Sequence, residues 1–257
     1  MVNLHTQGMS YRKIIERILE DKGVLLRKSH LSDWVNNTHQ PFGSAYDFVP
    51  EPTPELAYVI GVSRGDASLS IQKWSYRIRL RAIDREFVAE FDRCATVVLR
   101  CPRHSIGWIP KRGQWSVQVT SHLLYRFLKQ ALHRLRTVVS HCARCVAAFL
   151  KGFFDSEASV SGRSLTVSNS NLATLRLVKR LLNSLSISST GPRLVQRGNR
   201  PVIIKGVAYH ANKNIYLVYI RAGSLRAYAA RVGFVITRKQ RALASALQSD
   251  RLGLRVK

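Results

Sequence analysis

An internal repeat constrains this chain more than any other feature. Residues 55–70 read ELAYVIGVSRGDASLS, and residues 146–161 read VAAFLKGFFDSEASVS. When Asp66 is aligned with Glu157, a glycine lies over a glycine and an Ala-Ser pair follows each acid. Each copy predicts an apolar helix with a glycine in its middle, then a carboxylate between small residues, then a strand. The repeat predicts two related halves.

The small residues predict that the two apolar helices pack against each other. Glycine at a helix crossing allows another backbone to come close. Packing about a pseudo-two-fold axis would bring Asp66 and Glu157 together at the helix ends. Adjacent carboxylates raise a pKa unless a cation shares their charge, and an acid at a helix C-terminus opposes the helix dipole. Because the chain repeats this unfavourable placement, we expect a cation there, and oxygen ligands suit Mg²⁺.

At these residues the chain resembles a known family. The segments FLKGFFDSEASV (149–160) and AYVIGVSRGDAS (57–68) are similar to the paired motifs of single-chain LAGLIDADG homing endonucleases, of the archaeal intron-encoded type. The resemblance runs from about residue 54 to the C-terminus. It departs from the family pattern where Ala67 and Ala158 replace the glycine that follows each acid.

The resemblance implies an α+β fold of two pseudo-symmetric αββαββα halves with saddle-shaped antiparallel sheets. Residues 51–139 and 140–257 would form the halves, and residues 1–50 a small helical module. The implied activity is site-specific cleavage of both strands of double-stranded DNA by a monomer that uses Mg²⁺. Mn²⁺ is expected to substitute, and Ca²⁺ to bind without supporting cleavage.

The resemblance also implies roles for particular residues. Asp66 and Glu157 would be catalysts and metal ligands, and the family has a water-orienting amide where this chain has Asn169. The corresponding position of the first half is approximately Ala82, so we expect an asymmetric site. The expected metal ligands are Asp66, Glu157 and the backbone carbonyls of Gly65 and Ser156. Candidate phosphate neighbours are Arg81, Arg85 and Lys239.

Charge independently points to a polyanionic partner. The chain has 41 Lys and Arg against 15 Asp and Glu, a net charge of +26. Nucleic acid fits, since each neutralised phosphate releases counterions. A basic ribosomal protein has the same composition, but it does not need a duplicated apolar helix that ends in an acid.

Strand alternation predicts the residues that read DNA. The run 76–81 places Arg77, Arg79 and Arg81 on one face of a strand. Continuing that alternation backward would put Leu69 and Lys73 on the same face as Arg77. The DNA contacts predicted in the first half are Ser68, Ser70, Gln72, Lys73, Arg77, Arg79, Arg81, Gln114, Ser116 and Gln118. Those predicted in the second half are Ser159, Ser161, Arg163, Arg197, Arg200, Lys205, His210, Lys213, Asn214 and Lys239.

Other segments give further expectations. Residues 10–23 and 27–35 predict two helices joined by a glycine turn, which is either a helix-turn-helix or a plain hairpin. If this module binds DNA, the residues to test are Lys28, Ser29, His30, Ser32 and Asn36. Residues 37–54 predict an extended, proline-rich linker. We also expect a strand at 95–100, one helix over 122–136 and a turn over 191–200.

The cysteines and the N-terminus bear on location and partners. Cys142 and Cys145 have the spacing of half a zinc knuckle, but with Cys94 and Cys101 we favour buried thiols or a disulfide. No apolar run suggests a signal peptide or a membrane span, so we expect a cytoplasmic protein. Two alternatives remain: a maturase that binds its host intron RNA, or a non-cleaving DNA-binding regulator on the same scaffold.

Overall fold

The computed structural model describes residues 2–36, 48–73, 75–198, 200–204 and 207–251. For residues 200–204, 207–211 and 249–251 it describes the backbone alone. Three helices form the N-terminal part: α1 (Val2–Thr6), α2 (Tyr11–Lys22) and α3 (Lys28–Val35).

The glycine turn between α2 and α3 confirms the two helices predicted there. The Ser10 side chain accepts a hydrogen bond from the backbone N–H of Lys13 and caps α2. Gly23 ends that helix in the left-handed conformation at φ 64°, a region that glycine adopts without steric cost. Ile14 and Leu31 are fully buried, so each helix turns an apolar stripe inward.

The first half follows the predicted order of helices and strands. Its elements are α4 (Pro54–Ser63), β1 (Ser68–Gln72), β2 (Ser75–Ala82), α5 (Arg85–Leu99), β3 (Gly107–Ile109), β4 (Gln114–Thr120), α6 (His122–Leu128) and α7 (Leu132–Val139). The strands form one antiparallel sheet in the order β1-β2-β4-β3. Its buried residues, such as Ile78 and Val117, belong to the strands that pack against α5.

The second half repeats the plan and adds a hairpin. Its elements are α8 (Ala143–Glu157), β5 (Ala158–Ser161), β6 (Ser164–Asn169), α9 (Leu172–Ser184), β7 (Ser189–Gln196), β8 (Arg200–Ile204), β9 (Val207–Ala211), β10 (Ile215–Ile220), α10 (Leu225–Arg231) and α11 (Thr237–Arg251). The main sheet has the order β5-β6-β10-β7, and β8 pairs with β9 separately. The predicted α+β class with two antiparallel sheets is therefore confirmed.

The two motif helices, α4 and α8, pack through their glycines. A Cβ atom on Gly61 would lie 2.3 Å from the carbonyl oxygen of Phe149, and one on Gly152 would lie 2.6 Å from the carbonyl oxygen of Tyr58. Gly61 and Gly152 occupy the same place in the repeat, as do Tyr58 and Phe149. The contact is reciprocal, which is the signature of a two-fold axis.

Three expectations about secondary structure were wrong. Residues 95–99 continue α5, because the buried positions Phe91, Cys94, Ala95 and Leu99 repeat at helical and not at strand spacing. The segment 122–136 forms two helices, which separate at residues 129–131. Residues 191–196, expected within a turn over 191–200, instead belong to β7 along the edge of the sheet.

The face assigned to the first strand was also wrong. Lys73 has a φ of 53° and lies in the tight turn between β1 and β2, so a single alternation cannot run through it. Ser70 is paired with Arg77, and Gln72 with Ser75. Directly paired residues of an antiparallel sheet share a face. Arg77 therefore lies on the face of Ser70 and Gln72, opposite to Leu69.

Helix α11 links the two halves. The Arg238 guanidinium donates two hydrogen bonds of 2.9 Å, one to each carboxylate oxygen of Asp84. The backbone N–H of Thr237 donates to Glu86 over 2.9 Å, so an acid of α5 caps the first turn of α11. Among the residues that the structure describes, no helix combines the length and apolar character needed to cross a bilayer.

Candidate functional site

The acids Asp66 and Glu157 lie together where the motif helices meet. Helix α8 ends at Glu157, and α4 ends three residues before Asp66. A Cβ atom on Gly65 would lie 2.4 Å from the Cβ of Ser156 and 3.2 Å from the Cγ of Glu157. A residue without a Cβ atom is therefore required at Gly65, beside Asp66. The Ser156 hydroxyl donates to the carbonyl of Gly152 over 3.0 Å; the metal-ligand role of the Gly65 and Ser156 carbonyls stays a prediction.

The two carboxylates influence each other electrostatically. Burial, together with the negative charge of Asp66, raises the pKa of Glu157 to about 7. Burial also raises the pKa of Asp66, although its side chain keeps a solvent-accessible side. The pair therefore holds a proton close to neutral pH unless a cation replaces it. Two partly desolvated carboxylates with an open side fit a hard divalent cation.

Asn169 contacts Glu157 directly. It is the last residue of β6, and its Nδ2 donates to Oε1 of Glu157 over 2.8 Å. Its own Oδ1 accepts from the backbone N–H of Asn171 over 2.8 Å, which fixes the orientation of the amide. The hydrogen bond from Asn169 to Glu157 lowers the pKa of Glu157 and so favours its ionised form.

In the first half, Ala82 takes the place of this amide. In β-strand register Ser68 pairs with Arg79, and its repeat partner Ser159 pairs with Thr166. Ala82 lies three residues after Arg79 in β2, and Asn169 lies three residues after Thr166 in β6, so Ala82 and Asn169 occupy equivalent positions. The alanine methyl group cannot donate a hydrogen bond to Asp66, so the two acids have different surroundings.

Lys239, a predicted DNA contact, is buried beside the acids. Its side chain is only 7% exposed. The ammonium group donates to the carbonyl oxygens of Phe154 and Asp155 over 3.2 and 2.6 Å. It therefore caps the last turn of α8, and its positive charge lowers the pKa of both Asp66 and Glu157. Lys239 is therefore placed to hold the end of α8, and with it Glu157, in position.

The residues that precede the acids have opposite charges. Asp155 is buried and accepts hydrogen bonds from the backbone N–H groups of Val235 and Ile236 over 3.0 and 3.2 Å. Arg64 occupies the same repeat position and donates to the carbonyls of Leu128 and Gln130. Arg64 thus binds the connection between α6 and α7, and Asp155 binds the equivalent connection between α10 and α11. Asp155 is therefore engaged structurally.

The outer face of the first sheet is basic. Arg77, Arg79 and Arg81 lie opposite the buried Ile78 and Leu80, and they pair with Thr120, Gln118 and Ser116 of β4. Strands β1, β2 and β4 contain no acid. The predicted contacts of this half that share the face are Ser68, Ser70, Gln72, Arg77, Arg79, Arg81, Gln114, Ser116 and Gln118.

The positive charges of these arginines are not neutralised by acidic residues on strands β1, β2 and β4. The amide oxygens of Gln72 and Gln118 accept hydrogen bonds from Arg77 and Arg79, respectively. Partial burial lowers the pKa of Arg79, and the charges of Arg81 and Arg77 lower it further. Arg85 stacks instead on the ring of Trp115 at 5.3 Å. The arginines of this face therefore repel one another, and a bound anion would reduce that repulsion.

The outer face of the second sheet carries hydroxyl groups where the first carries arginines. By the same register, Ser164, Thr166 and Ser168 correspond to Arg77, Arg79 and Arg81. Ser159 and Ser161 share this face, as predicted, and Arg163 lies in the β5–β6 turn. Three polar residues of β7 and β10 also lie on this face but were not among the predicted DNA contacts: Thr190, Arg193 and Tyr219.

The remaining predicted contacts lie near the β8–β9 hairpin or outside the description. Arg197 and Lys213 are exposed at the ends of β7 and β10. Asn214 accepts from the backbone N–H of Gly198 over 2.8 Å, which ties the two strand ends together. Lys205 lies outside the described residues, and the side chains of Arg200 and His210 are not described.

Four of the five candidate DNA contacts of the N-terminal helices are exposed, and Ser32 is half-buried. Lys28, Ser29 and His30 are exposed on α3. Asn36 donates to the hydroxyl of Ser32 over 3.2 Å. These contacts fit both a helix-turn-helix and a hairpin, so DNA binding by this part stays a prediction, as do the boundaries at residues 50 and 139.

The chain is thus a duplicated α+β protein with paired acids at the crossing of two motif helices. Comparisons with known proteins agree. The family model described as a LAGLIDADG-like domain matches residues 144–233. An uncharacterized protein of Methanocaldococcus jannaschii, MJ0398, is 31% identical over 253 residues, which cover 96% of this chain and 91% of that protein.

Solved structures with the same fold include complexes of I-DmoI, a homing endonuclease. I-DmoI with DNA and Ca aligns with a TM-score of 0.55 at 20% identity, over 76% of this chain and 99% of that chain. I-DmoI with DNA and Mn aligns with a TM-score of 0.51 at 19% identity, over 71% and 97%. The chain belongs to the LAGLIDADG family and has its single-chain, two-motif fold.

Proposed function

We propose that the chain is a site-specific homing endonuclease that hydrolyses both strands of a long double-stranded DNA target with Mg²⁺. The observation that carries this proposal is the pair Asp66 and Glu157. These acids end the two motif segments, whose helices cross through reciprocal glycines. The I-DmoI structures contain DNA with Mn or with Ca, which supports the choice of DNA and of a divalent cation.

Asp66 and Glu157 would hold the cation. Their raised pKa values reflect the cost of ionising two neighbouring, partly buried carboxylates, and a divalent cation removes that cost. When bound, the metal would supply an activated water and stabilise the leaving oxygen of the phosphodiester. Mn²⁺ is expected to replace Mg²⁺, and Ca²⁺ to support binding alone.

The surrounding side chains keep the pair ready to bind the metal. Asn169 positions one oxygen of Glu157 and is the candidate to orient an attacking water on that side. Lys239 favours the ionised form of both acids by its charge. It also holds the end of α8, from which Glu157 projects.

The two sheet faces would bind the DNA on either side of the cut. The arginines of the first sheet can neutralise phosphates or donate to guanine. The hydroxyl groups of the second sheet can donate to or accept from base edges, without adding charge. Since both acids belong to one polypeptide, a monomer suffices for cleavage. Encoding within an intron, and homing of that intron, are proposed on the family resemblance.

The test is selection of a cleavable target. A plasmid library with randomised inserts would be incubated with the full chain in Mg²⁺, and linearised molecules would be sequenced. We expect one long, partly symmetric consensus, cut in Mg²⁺ or Mn²⁺ and bound without cleavage in Ca²⁺. If a consensus is bound but remains uncut in each of these ions, the chain is not an endonuclease.

A further inference from the structure

A second cluster of metal-ligating side chains lies away from the paired acids, at the other end of α8. His141 and Cys142 belong to the short connection between α7 and α8, and Cys145 lies in the first turn of α8. One ligand atom from each of these three residues lies within 4.8 Å of the others. None of the three is used by the proposed DNA cleavage.

The spacing of these atoms suits a tetrahedral ion. The Sγ atoms of Cys142 and Cys145 are 3.5 Å apart. Two thiolates bound to one zinc ion at about 2.3 Å each would be separated by about 3.8 Å in a tetrahedral site. Small side-chain rotations therefore suffice, and the helical backbone of Cys145 need not move.

The local environment also fits a soft divalent cation. Cys145 is fully buried, Cys142 is partly buried and His141 is exposed, so the site has a buried floor and an open side. Two thiolates cancel the charge of a divalent ion, and the positive end of the helix dipole then does not oppose binding. A water or an external ligand could take the fourth position.

We propose that His141, Cys142 and Cys145 bind one zinc ion, which fastens the connection between the two halves to the start of the second motif helix. The sequence favoured buried thiols or a disulfide at these cysteines. All four cysteines are free thiols in the structure, and His141 supplies the third ligand that the Cys-x-x-Cys spacing alone lacks. This ion would differ from the catalytic one in its ligands and its place.

The test uses Co²⁺ as a spectroscopic probe on the reduced, metal-free full chain. We expect one Co²⁺ per chain with a thiolate-to-cobalt charge-transfer band and intense tetrahedral d–d bands, both displaced by one equivalent of Zn²⁺. Cys142→Ser and Cys145→Ser should abolish the charge-transfer band. His141→Gln removes an exposed ligand without disturbing the core. Loss of a residue that only orients a metal ligand typically weakens metal binding about 10- to 100-fold. Loss of His141, a ligand itself, should weaken Zn²⁺ binding at least as much.

Two controls separate this site from other thiols and from the acids. Cys101→Ala removes a buried thiol elsewhere and should leave the spectrum unchanged, as should the double variant Asp66→Asn with Glu157→Gln. The proposal is overturned if no charge-transfer band forms, if Cys142→Ser retains it, or if His141→Gln binds Zn²⁺ as tightly as the wild type. Recovery of a Cys142–Cys145 disulfide from reducing buffer would also overturn it.

Discussion

Two acids that occupy the same place in the repeat have unequal neighbours. Glu157 receives a hydrogen bond from Asn169, whereas Asp66 faces a half in which Ala82 takes the place of that amide. Lys239 lies close enough to influence both acids by its charge. Chemistry at the two strands of a DNA duplex should therefore differ in rate, and single substitutions should affect one strand more than the other.

Asn169→Ala should slow cleavage of one strand selectively. The change removes a hydrogen bond to a charged carboxylate, which contributes roughly 1.5–3 kcal/mol, or about 10- to 100-fold in rate. Strand-resolved cleavage of an end-labelled target measures the effect. Asn183→Ala, an exposed asparagine of α9, is the matched control. Equal slowing of both strands would show that Asn169 does not serve Glu157 alone.

Lys239→Met should move the pH dependence of cleavage upward. Loss of the positive charge raises the pKa of both Asp66 and Glu157, so more protons compete with the metal at a given pH. The matched control is Lys179→Met, because Lys179 also donates to a backbone carbonyl, that of Gly191, over 2.7 Å. Both variants should lose stability, but the rising limb of the pH–rate profile should move only for Lys239→Met. An unmoved limb would restrict Lys239 to a structural role.

Metal-free protein should become less stable as the pH rises from about 4.5 to about 7. Glu157 keeps its proton in the folded chain over this range because its pKa is raised to about 7, whereas the unfolded chain has released that proton. The folded state then binds more protons, so stability falls with pH. Thermal melts at several pH values would show a shallower decline for Glu157→Gln than for the wild type. In the wild type, Mg²⁺ should stabilise more at pH 7.5 than at pH 5. Parallel curves for the two proteins would contradict the raised pKa.

At the scale of elements, the crossing of α4 and α8 determines where the acids lie. Each helix presents a glycine to the backbone of the other, at equivalent places in the repeat. The same two helices are apolar on most sides; residues 56–62 of α4 are all buried. The crossing is therefore both the centre of the core and the support of the site.

Gly61→Ala should destabilise the chain although alanine favours helices. A Cβ at this position would lie 2.3 Å from a backbone oxygen, and relief of such overpacking typically costs about 1–3 kcal/mol. Gly223→Ala is the control, since a Cβ there would meet nothing within 4 Å. Urea denaturation compares the midpoints. A Gly61→Ala midpoint at or above that of the wild type would show that the helices can separate without cost.

The repeat made the pairing of elements predictable, and this is why the fold class and the crossing were anticipated. Local periodicity failed where tertiary packing decides. Val97 and Val98 favour a strand by type, yet they extend α5 because Cys94 and Leu99 are buried at helical spacing. The turn at Lys73 inverted the predicted face of Arg77, since one misplaced turn reverses an alternation.

Site residues were predictable where the motif names them and less so where the fold brings them in. Asp66 and Glu157 follow from the repeat. Lys239 lies 82 residues beyond Glu157 in sequence, and no local pattern distinguishes it from an exposed lysine of an amphipathic helix. Its burial depends on α11 packing over the end of α8, which only the assembled halves determine.

At the scale of the whole molecule, the positive charge is unevenly distributed between the two sheets. Three arginines of β2 correspond to two serines and a threonine of β6. Strand β2 is therefore expected to contribute more electrostatic affinity for a target than β6, and β6 more of the hydrogen-bonded discrimination.

Replacing Arg77 and Arg79 together with glutamine should weaken DNA binding and reduce its salt dependence. Each lost phosphate contact lowers the slope of log affinity against log salt by about 0.9, so the pair should lower it by about 1.8. Fluorescence anisotropy in Ca²⁺ measures binding without cleavage. The control replaces Arg176 and Arg180, which are exposed on α9 away from the sheet face, with the same charge change. If both pairs alter the slope equally, the sheet face is not the DNA-binding surface.

The most direct test of the central claim is binding and cleavage of one selected target by the wild type, Asp66→Asn and Glu157→Gln. Binding is measured in Ca²⁺ and cleavage in Mg²⁺. Each substitution keeps the shape of the side chain and removes only the charge that a cation requires. We predict that all three proteins bind the target within a few-fold of one another, and that only the wild type cuts both strands. Double-strand cleavage by either variant at the wild-type rate would contradict the account.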